Sequence, residues 1–169
     1  MQLLDHVSLS VPDLARARPF YHAIFNALGA VVVYDHADAI GYGERCDRSQ
    51  PGHSYLTVRA SAAPLSADPG RHWCFKAASH AQVRALHAAA LAHGGEDDGP
   101  PGLRAHYHAD YYAAFVRDPF GNRLEAVCHG ETVLPLTTPA TLSATGEGDV
   151  EKPGRADSGR CALWPGPAR

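Results

Sequence analysis

The sequence predicts an α+β fold built from two βαβββ modules whose sheets join into one curved surface. Strand-like and helix-like segments follow each other in the same order twice along the chain. The two copies keep a constant offset, since His72 lies 66 residues after His6 and Gly95 lies 66 residues after Gly29. Repeats of one supersecondary unit usually bury a shared face against each other, so we expect a common sheet with the helices on its outside.

The first module, at about residues 1–62, opens with a strand over about 3–11 in which apolar and polar side chains alternate. A helix is predicted over about 18–28, with Pro19 in its first turn and Gly29 at its end. Three shorter strands are predicted in the segments AVVVYD, AIGYG and SYLTVRA. These elements make up one complete βαβββ unit.

The second module, at about residues 68–130, begins with the strand-like segment HWCFKA. Ser79 and Gln82 form a capping-box pattern at the start of a helix that we expect to end at Gly94 and Gly95. After a polar loop come the strands YYAAFV and RLEAVC, joined by the turn DPFGN.

The chain of 169 residues is long enough for one such domain with a core of its own. Between the modules, residues 61–70 are rich in Ala, Pro, Ser and Gly and are predicted to be a linker. Residues 131–169 are rich in Thr, Pro, Gly, Ser and charged residues and lack hydrophobic periodicity. We therefore predict a domain over 1–130 and an extended or disordered C-terminal tail over 131–169.

Composition narrows the class of partner. A net charge of −3 and a pI near 6.4 provide no basic surface for nucleic acid, and no segment approaches the length of a membrane span. The four cysteines include no C-x-x-C pair and no signal peptide is recognised, so a reduced, cytoplasmic protein is expected. A small-molecule substrate is the natural partner, and eleven histidines favour a metal site.

Three side chains lie on the less apolar faces of their predicted strands: His6, His72 and Glu125. A carboxylate in such a strand costs several kcal/mol to desolvate unless a cation or hydrogen-bond donors meet it. Two neutral imidazoles and one carboxylate that converge would bind a divalent metal and leave positions open for substrate and water. The alternative is that the histidines are ordinary hydrogen-bonded strand residues.

Four segments carry a family resemblance: DHVSLSVPDL, PFYHAIFNALG, HWCFKA and HYHADYYAAFVRDPFGNRLEAVCH. They resemble the glyoxalase, bleomycin-resistance and extradiol dioxygenase superfamily, also called vicinal oxygen chelate proteins. The resemblance covers about residues 1–130, and DPFGNRLE is its most specific part. It implies two βαβββ modules that form a U-shaped mixed sheet around a metal-binding cleft, a divalent metal such as Fe, Ni, Zn or Mn, and a homodimer.

By position, His6, His72 and Glu125 match the metal-ligand places of that superfamily. The resemblance puts a fourth place in the segment SYLTVRA, where glyoxalase I enzymes have a carboxylate. This sequence offers instead Tyr55, Thr57 or Arg59. The departure argues against glyoxalase I activity and leaves the set of two histidines and one glutamate that extradiol dioxygenases use with Fe(II).

Next to the last two strands, the sequence offers four residues for catalytic roles near the metal: His106, His108, Tyr111 and Tyr112. A histidine there can act as a general base and a tyrosine can donate a hydrogen bond to an oxyanion. The alternative is that the histidines are solvated and the tyrosines line the rim of the cleft.

Three functions follow from these patterns. The first is a metalloenzyme that chelates vicinal oxygens of a small substrate, as a lyase, an isomerase or a ring-cleaving dioxygenase. The second is a metal-free small-molecule binding protein of the bleomycin-resistance type. The third is a protein that binds metal without chemistry.

Overall fold

In the computed structural model of the chain, the described residues are 3–63 and 70–130. They contain eight strands and two helices in the order β1 (His6–Val11), α1 (Leu14–Leu28), β2 (Val32–Asp35), β3 (Ala39–Gly43), β4 (Tyr55–Ala60), β5 (His72–Lys76), α2 (His80–Ala92), β6 (Glu96–Leu103), β7 (Tyr112–Arg117) and β8 (Arg123–Cys128). The order is βαβββ twice, which confirms the predicted fold class. The predicted tail over 131–169 and most of the predicted linker lie outside the described residues.

Each module forms its own open four-stranded mixed sheet. The strand orders are β1-β4-β3-β2 and β5-β8-β7-β6, so the first strand of each module pairs in parallel with the last and stands at an edge. The sequence predicts one joined surface, whereas the described strands of the two sheets share no ladder of backbone hydrogen bonds. The modules of one chain meet instead through their helices, because α1 and α2 pack against each other.

Helix α1 begins four residues earlier than its pattern predicts. Asp13 is its N-cap and accepts a hydrogen bond from the backbone N–H of Arg16 at 3.0 Å. Pro19 therefore lies inside the helix rather than in its first turn. The buried face of α1 carries Leu14, Ala17, Phe20, Tyr21, Ile24 and Phe25.

Helix α2 starts where the capping pattern predicts. The Ser79 side chain accepts from the N–H of Gln82 at 3.2 Å, and the Gln82 side chain accepts from the N–H of Ala78 at 2.7 Å. The Gln82 amide also donates to the Leu28 carbonyl at the end of α1, at 3.2 Å. One side chain thus caps α2 and joins the two helices.

Strand β6 is absent from the sequence-based prediction, which has a polar loop there. Its sequence is EDDGPPGL. Among the described strands it pairs only with β7, at the edge of the second sheet and with two irregularities in the register. Prolines and glycines are tolerated at a sheet edge because an edge strand has backbone groups that need no ladder partner.

The turn DPFGN connects the modules as well as β7 and β8. The buried Asp118 carboxylate accepts hydrogen bonds from the Tyr21 hydroxyl at 2.6 Å and from the N–H of Phe120 at 2.9 Å. It also accepts from both the backbone and side-chain N–H groups of Asn122, each at 2.8 Å. The Asn122 amide in turn donates to the Ser10 carbonyl in β1 at 3.3 Å. This cluster joins module two to β1 and α1 of module one.

Candidate metal site

Glu125 is the buried carboxylate at the centre of the second sheet. It lies on β8 with 2% of its surface exposed, and its direct neighbour on β5 is Cys74. Its Oε1 accepts a 2.6 Å hydrogen bond from the Tyr111 hydroxyl, and its Oε2 lies 3.1 Å from Nε2 of His72. The strand register therefore brings together His72 and Glu125, two of the three residues that the sequence analysis proposes as metal ligands.

The spacing of these two groups fits a shared divalent ion. Metal–nitrogen and metal–oxygen bonds to His and Glu are about 2.1 Å long. Two donors at that distance from one ion, and 3.1 Å from each other, subtend about 95° at the ion. Neighbouring ligands in six-coordinate geometry subtend about 90°. Since 43% of the His72 side chain is exposed, solvent can reach this pair.

His6 lies on the other sheet of the chain. Its Nδ1 is 2.7 Å from Asp5 Oδ1, and its ring stacks on Tyr55 with 5.2 Å between centroids. In the described part of the chain, no three His, Cys, Asp or Glu side chains are grouped as metal ligands. A single copy of the chain thus brings together His72 and Glu125, and His6 stays apart from them.

The equivalent of Glu125 in the first module is Thr57. Ser8 pairs with Thr57 in the first sheet as Cys74 pairs with Glu125 in the second. Thr57 is buried, and its hydroxyl lies 2.5 Å from the hydroxyl of Tyr34. Of the three residues that the sequence left open for the fourth ligand place, the register selects this one, which is a neutral hydroxyl.

The loop before β7 and His129, just after β8, form an aromatic cluster around Tyr111, the residue that binds Glu125. Nε2 of His108 and Nδ1 of His129 are 2.8 Å apart, and the centroids of both rings lie within 5.3 Å of that of Tyr111. His106 contacts Tyr107 at 4.3 Å between centroids, and Tyr107 contacts Tyr111 at 4.9 Å. His108 therefore contacts Tyr111, the residue that binds Glu125, directly, whereas His106 contacts it only through Tyr107.

Tyr112 lies elsewhere, contrary to the catalytic role that the sequence predicts for it. Its ring stacks on His80 of α2 at 4.0 Å, and it pairs across the sheet with the buried Cys128. Because successive strand residues face opposite sides, Tyr112 is on the helix-packed face and Glu125 is on the other. Tyr111, just before β7, is the tyrosine that meets the carboxylate.

Cys74 adds a thiol to the surroundings of Glu125. The residue as a whole is exposed, but its thiol group lies among neighbouring protein atoms. Desolvation of the thiol, and then the adjacent Glu125 carboxylate, raise the pKa of Cys74 to about 12. Enclosure and the hydrogen bond to Glu125 also raise the pKa of Tyr111. At neutral pH both groups therefore keep their protons, and both are donors toward the carboxylate.

Comparison with known proteins places the chain in a family. The model of the Glyoxalase/Bleomycin resistance protein/Dioxygenase superfamily matches residues 3–126. No curated protein matches the chain.

Solved structures share the fold. A glyoxalase/bleomycin resistance protein from Albidiferax ferrireducens is 29% identical, with a TM-score of 0.62 over 75% of this chain and 98% of that one. A glyoxalase/bleomycin resistance protein/dioxygenase family enzyme from Burkholderia phytofirmans is 20% identical, with a TM-score of 0.53 over 73% and 96%. A mutant of the fosfomycin resistance protein FosX from Listeria monocytogenes, solved with Mn(II) and 1S,2S-dihydroxypropylphosphonic acid, is 18% identical, with a TM-score of 0.54 over 75% and 90%. With a family model matched over most of its length, the chain belongs to the Glyoxalase/Bleomycin resistance protein/Dioxygenase superfamily.

Proposed function

We propose that the protein is a glyoxalase-like metalloenzyme that binds a divalent ion through His72, Glu125 and His6. The observation that carries the proposal is the buried Glu125 carboxylate, with His72 Nε2 3.1 Å from its Oε2. The ion, one of Fe, Ni, Zn or Mn, would act as a Lewis acid toward two adjacent oxygens of a small substrate. The reaction would be of the lyase or isomerase type, or ring cleavage with O2 if the metal is iron.

A homodimer would complete the ligand set. His6 and His72 stand on β1 and β5, which are edge strands of two separate sheets. An exposed sheet edge favours association with a further chain. In a two-fold dimer, His6 of one copy would complete the pair formed by His72 and Glu125 of the other, and symmetry would create the second site.

The surroundings of these three residues suit metal ligands. Asp5 accepts from Nδ1 of His6, which leaves the Nε2 lone pair of that ring free to bind a metal. Tyr111 donates to Oε1 of Glu125, which leaves Oε2 toward His72. Such partners outside the ligand set fix the tautomer and orientation of the ligands themselves.

For proton transfer, the pair of His108 and His129 is the best-placed group. Their ring nitrogens are 2.8 Å apart, so one ring must donate to the other, and a proton gained by the pair can be shared between them. Tyr111 contacts both rings and also bonds Glu125. We assign proton transfer to His108, with His129 as its partner, and retain His106 as a residue of the outer rim.

The second candidate function is a metal-free binding protein of the bleomycin-resistance type. It is favoured by the two hydrogen bonds at the Glu125 carboxylate, from the Tyr111 hydroxyl at 2.6 Å and with His72 Nε2 at 3.1 Å, and by the position of His6 on a separate sheet. The two candidates differ in metal content. A metalloenzyme should hold close to one divalent ion per chain, and a binding protein should hold none.

The first experiment measures bound metal after loading with Mn(II) and gel filtration. Mn(II) is a reasonable first ion because it is bound in the FosX structure. We expect close to one ion per chain in the wild type and a loss of bound metal in a double variant with His72→Ala and Glu125→Ala. His93→Ala, a substitution beyond the end of α2, is the matched control and should keep full occupancy. Equal occupancy in the double variant and the control would refute the site.

The second experiment tests whether two chains share the site. His6→Ala and Glu125→Ala chains are unfolded together and refolded as a mixture. Random pairing would make half of the dimers mixed, each with one intact site, so metal binding should return to about a quarter of the wild-type level. If each site lay within one chain, the mixture would recover no metal binding.

A further inference from the structure

Arg104 lies on the same face of the second sheet as Glu125. Phe115 on β7 is the direct cross-strand neighbour of Glu125, so the two side chains project from the same face. The guanidinium of Arg104 lies over the Phe115 ring, with its Cζ 5.6 Å from the ring centroid. Neighbouring side chains in a sheet have Cβ atoms about 5 Å apart, which puts the guanidinium on the order of 10 Å from the Glu125 carboxylate.

Among the residues that the structure describes, Arg104 uses only a small part of its hydrogen-bonding capacity. Its Nη2 donates to the Pro100 carbonyl at 2.6 Å, and within residues 3–63 and 70–130 it forms no ion pair with a carboxylate. Arg117 and Arg123 on the same face differ, because both bind Asp98 at 2.6 to 3.1 Å. A guanidinium has five N–H donors, so Arg104 can still make a two-pronged contact with an oxyanion.

Two glycines in β6 make room for this arrangement. A Cβ at Gly102 would lie 3.0 Å from Nη1 of Arg104, and a Cβ at Gly99 would lie 3.0 Å from the Phe115 ring. The aromatic ring and the Pro100 carbonyl restrain the guanidinium, which lowers the entropy lost when a ligand binds. A half-buried, restrained cation that has no carboxylate partner among the described residues is suited to binding a negatively charged group.

We infer that Arg104 binds an oxyanion of the substrate, which is a carboxylate, phosphate or phosphonate, while Phe115 packs against the adjacent apolar part. The link between this anion site and a reaction rests on the proposed function, since Glu125, one of the proposed metal ligands, lies about 10 Å away on the same face. The substrate is accordingly a small anion that presents its adjacent oxygens to the metal and its charged group to Arg104.

The test is calorimetric titration of metal-free and Mn(II)-loaded protein with phenylphosphonate, benzoate and the neutral benzyl alcohol. We expect the wild type to bind at least one of the two anions more tightly than the alcohol, and the stronger of them identifies the charged group. Arg104→Gln should weaken anion binding about tenfold or more, because charge-assisted hydrogen bonds are lost. Arg104→Lys should retain part of the affinity.

Two further variants separate position from charge. Arg84→Gln removes an equal charge from the exposed surface of α2 and should leave affinity unchanged. Gly102→Ala keeps the charge but crowds the guanidinium, so it should also weaken anion binding. Equal anion affinity in the Arg104→Gln and Arg84→Gln variants, or failure of both anions to bind the wild type, would overturn the inference.

The metal-free titration separates this inference from the proposed function. Arg104-dependent anion binding by a protein that fails to retain Mn(II) would support the anion site and refute the metalloenzyme. If the protein retains Mn(II) but binds the anions equally well with and without the Arg104 side chain, the metalloenzyme would be supported and the anion site refuted.

Discussion

Removal of the Tyr21 hydroxyl should lower the free energy of unfolding, because it breaks the hydrogen bond that connects α1 of module one to the DPFGN turn of module two. Tyr21 is fully buried and Asp118 is 2% exposed, so water cannot replace the 2.6 Å bond between them. A hydrogen bond to a charged group contributes about 1.5 to 3 kcal/mol. We expect Tyr21→Phe to lower the free energy of unfolding by about 1.5 to 3 kcal/mol.

Asp118→Ala should cost more than Tyr21→Phe. It removes the acceptor of four hydrogen bonds and leaves the buried Tyr21 hydroxyl and three partly buried N–H donors without this partner. Breaking such a buried charged network typically costs about 3 to 5 kcal/mol. Because both substitutions remove the same Tyr21 bond, the double variant should cost about 1 to 2 kcal/mol less than the sum of the single variants.

The assay is urea unfolding at one fixed protein concentration, followed by the fluorescence of Trp73 and Trp164, with the free energy taken from the midpoint and slope. Tyr107→Phe is the control, since that residue is 61% exposed and should change stability by no more than about 0.5 kcal/mol. A cost for Tyr21→Phe equal to that of the control, or strict additivity in the double variant, would refute the reasoning.

The hydrogen bond between Tyr21 and Asp118 should make the stability of the fold fall at high pH. Burial, and then the Asp118 carboxylate, raise the pKa of Tyr21 well above its ordinary value near 10. The unfolded chain therefore releases this proton at a lower pH than the folded chain. The contribution to stability is complete below about pH 10 and falls as the pH rises above it. Tyr21→Phe should lose less stability than the wild type between about pH 10 and 11.

Three more predictions concern other parts of the domain. Tyr111→Phe should weaken Mn(II) binding about 10- to 100-fold while the fold is kept, as measured by EPR titration; unchanged affinity would remove Tyr111 from the site. In metal-free protein, Cys74 should react with iodoacetamide more slowly than a free thiol at pH 8, and Glu125→Gln should accelerate the reaction. Mass spectrometry of the tryptic peptide HWCFK follows this thiol alone. Equal reaction rates in the wild type and the Glu125→Gln variant would contradict the raised pKa of Cys74. Gly95→Ala should cost about 1 to 3 kcal/mol in urea unfolding, since its Cβ would lie 2.6 Å from a ring carbon of Phe20; a neutral effect would show that this contact can relax.

The repeated pattern of the sequence was enough to predict two βαβββ modules and to assign His72 and Glu125 to the less apolar faces of their strands. The parallel register of β5 and β8, which brings the two side chains within 3.1 Å, is a feature of the folded sheet that alternation alone does not predict. Strand β6 could not be predicted in this way, because GPPG in the middle of a segment normally signals a loop. Only its position at a sheet edge makes a strand possible there.

The site was harder to predict where the outcome depends on tertiary packing. The choice between Tyr111 and Tyr112 depends on the register in which β7 pairs with β8, because a shift of one residue would exchange the faces of both. His6 matches His72 by position in the repeat, but the pattern does not reveal that the sheets of one chain remain separate. Arg104 gave no signal in the sequence, since it lies in a segment that has the composition of a loop.

The separation of His6 from Glu125 within the chain makes metal binding and self-association thermodynamically linked in the proposed site. If the ion binds only to the dimer, association of the two chains raises the affinity for the ion. By linkage, the bound ion then raises the affinity of the chains for each other by the same factor. Dilution should then release metal, and a chelator should shift the protein toward single chains. Occupancy would consequently depend on the concentration of the protein as well as on that of the metal.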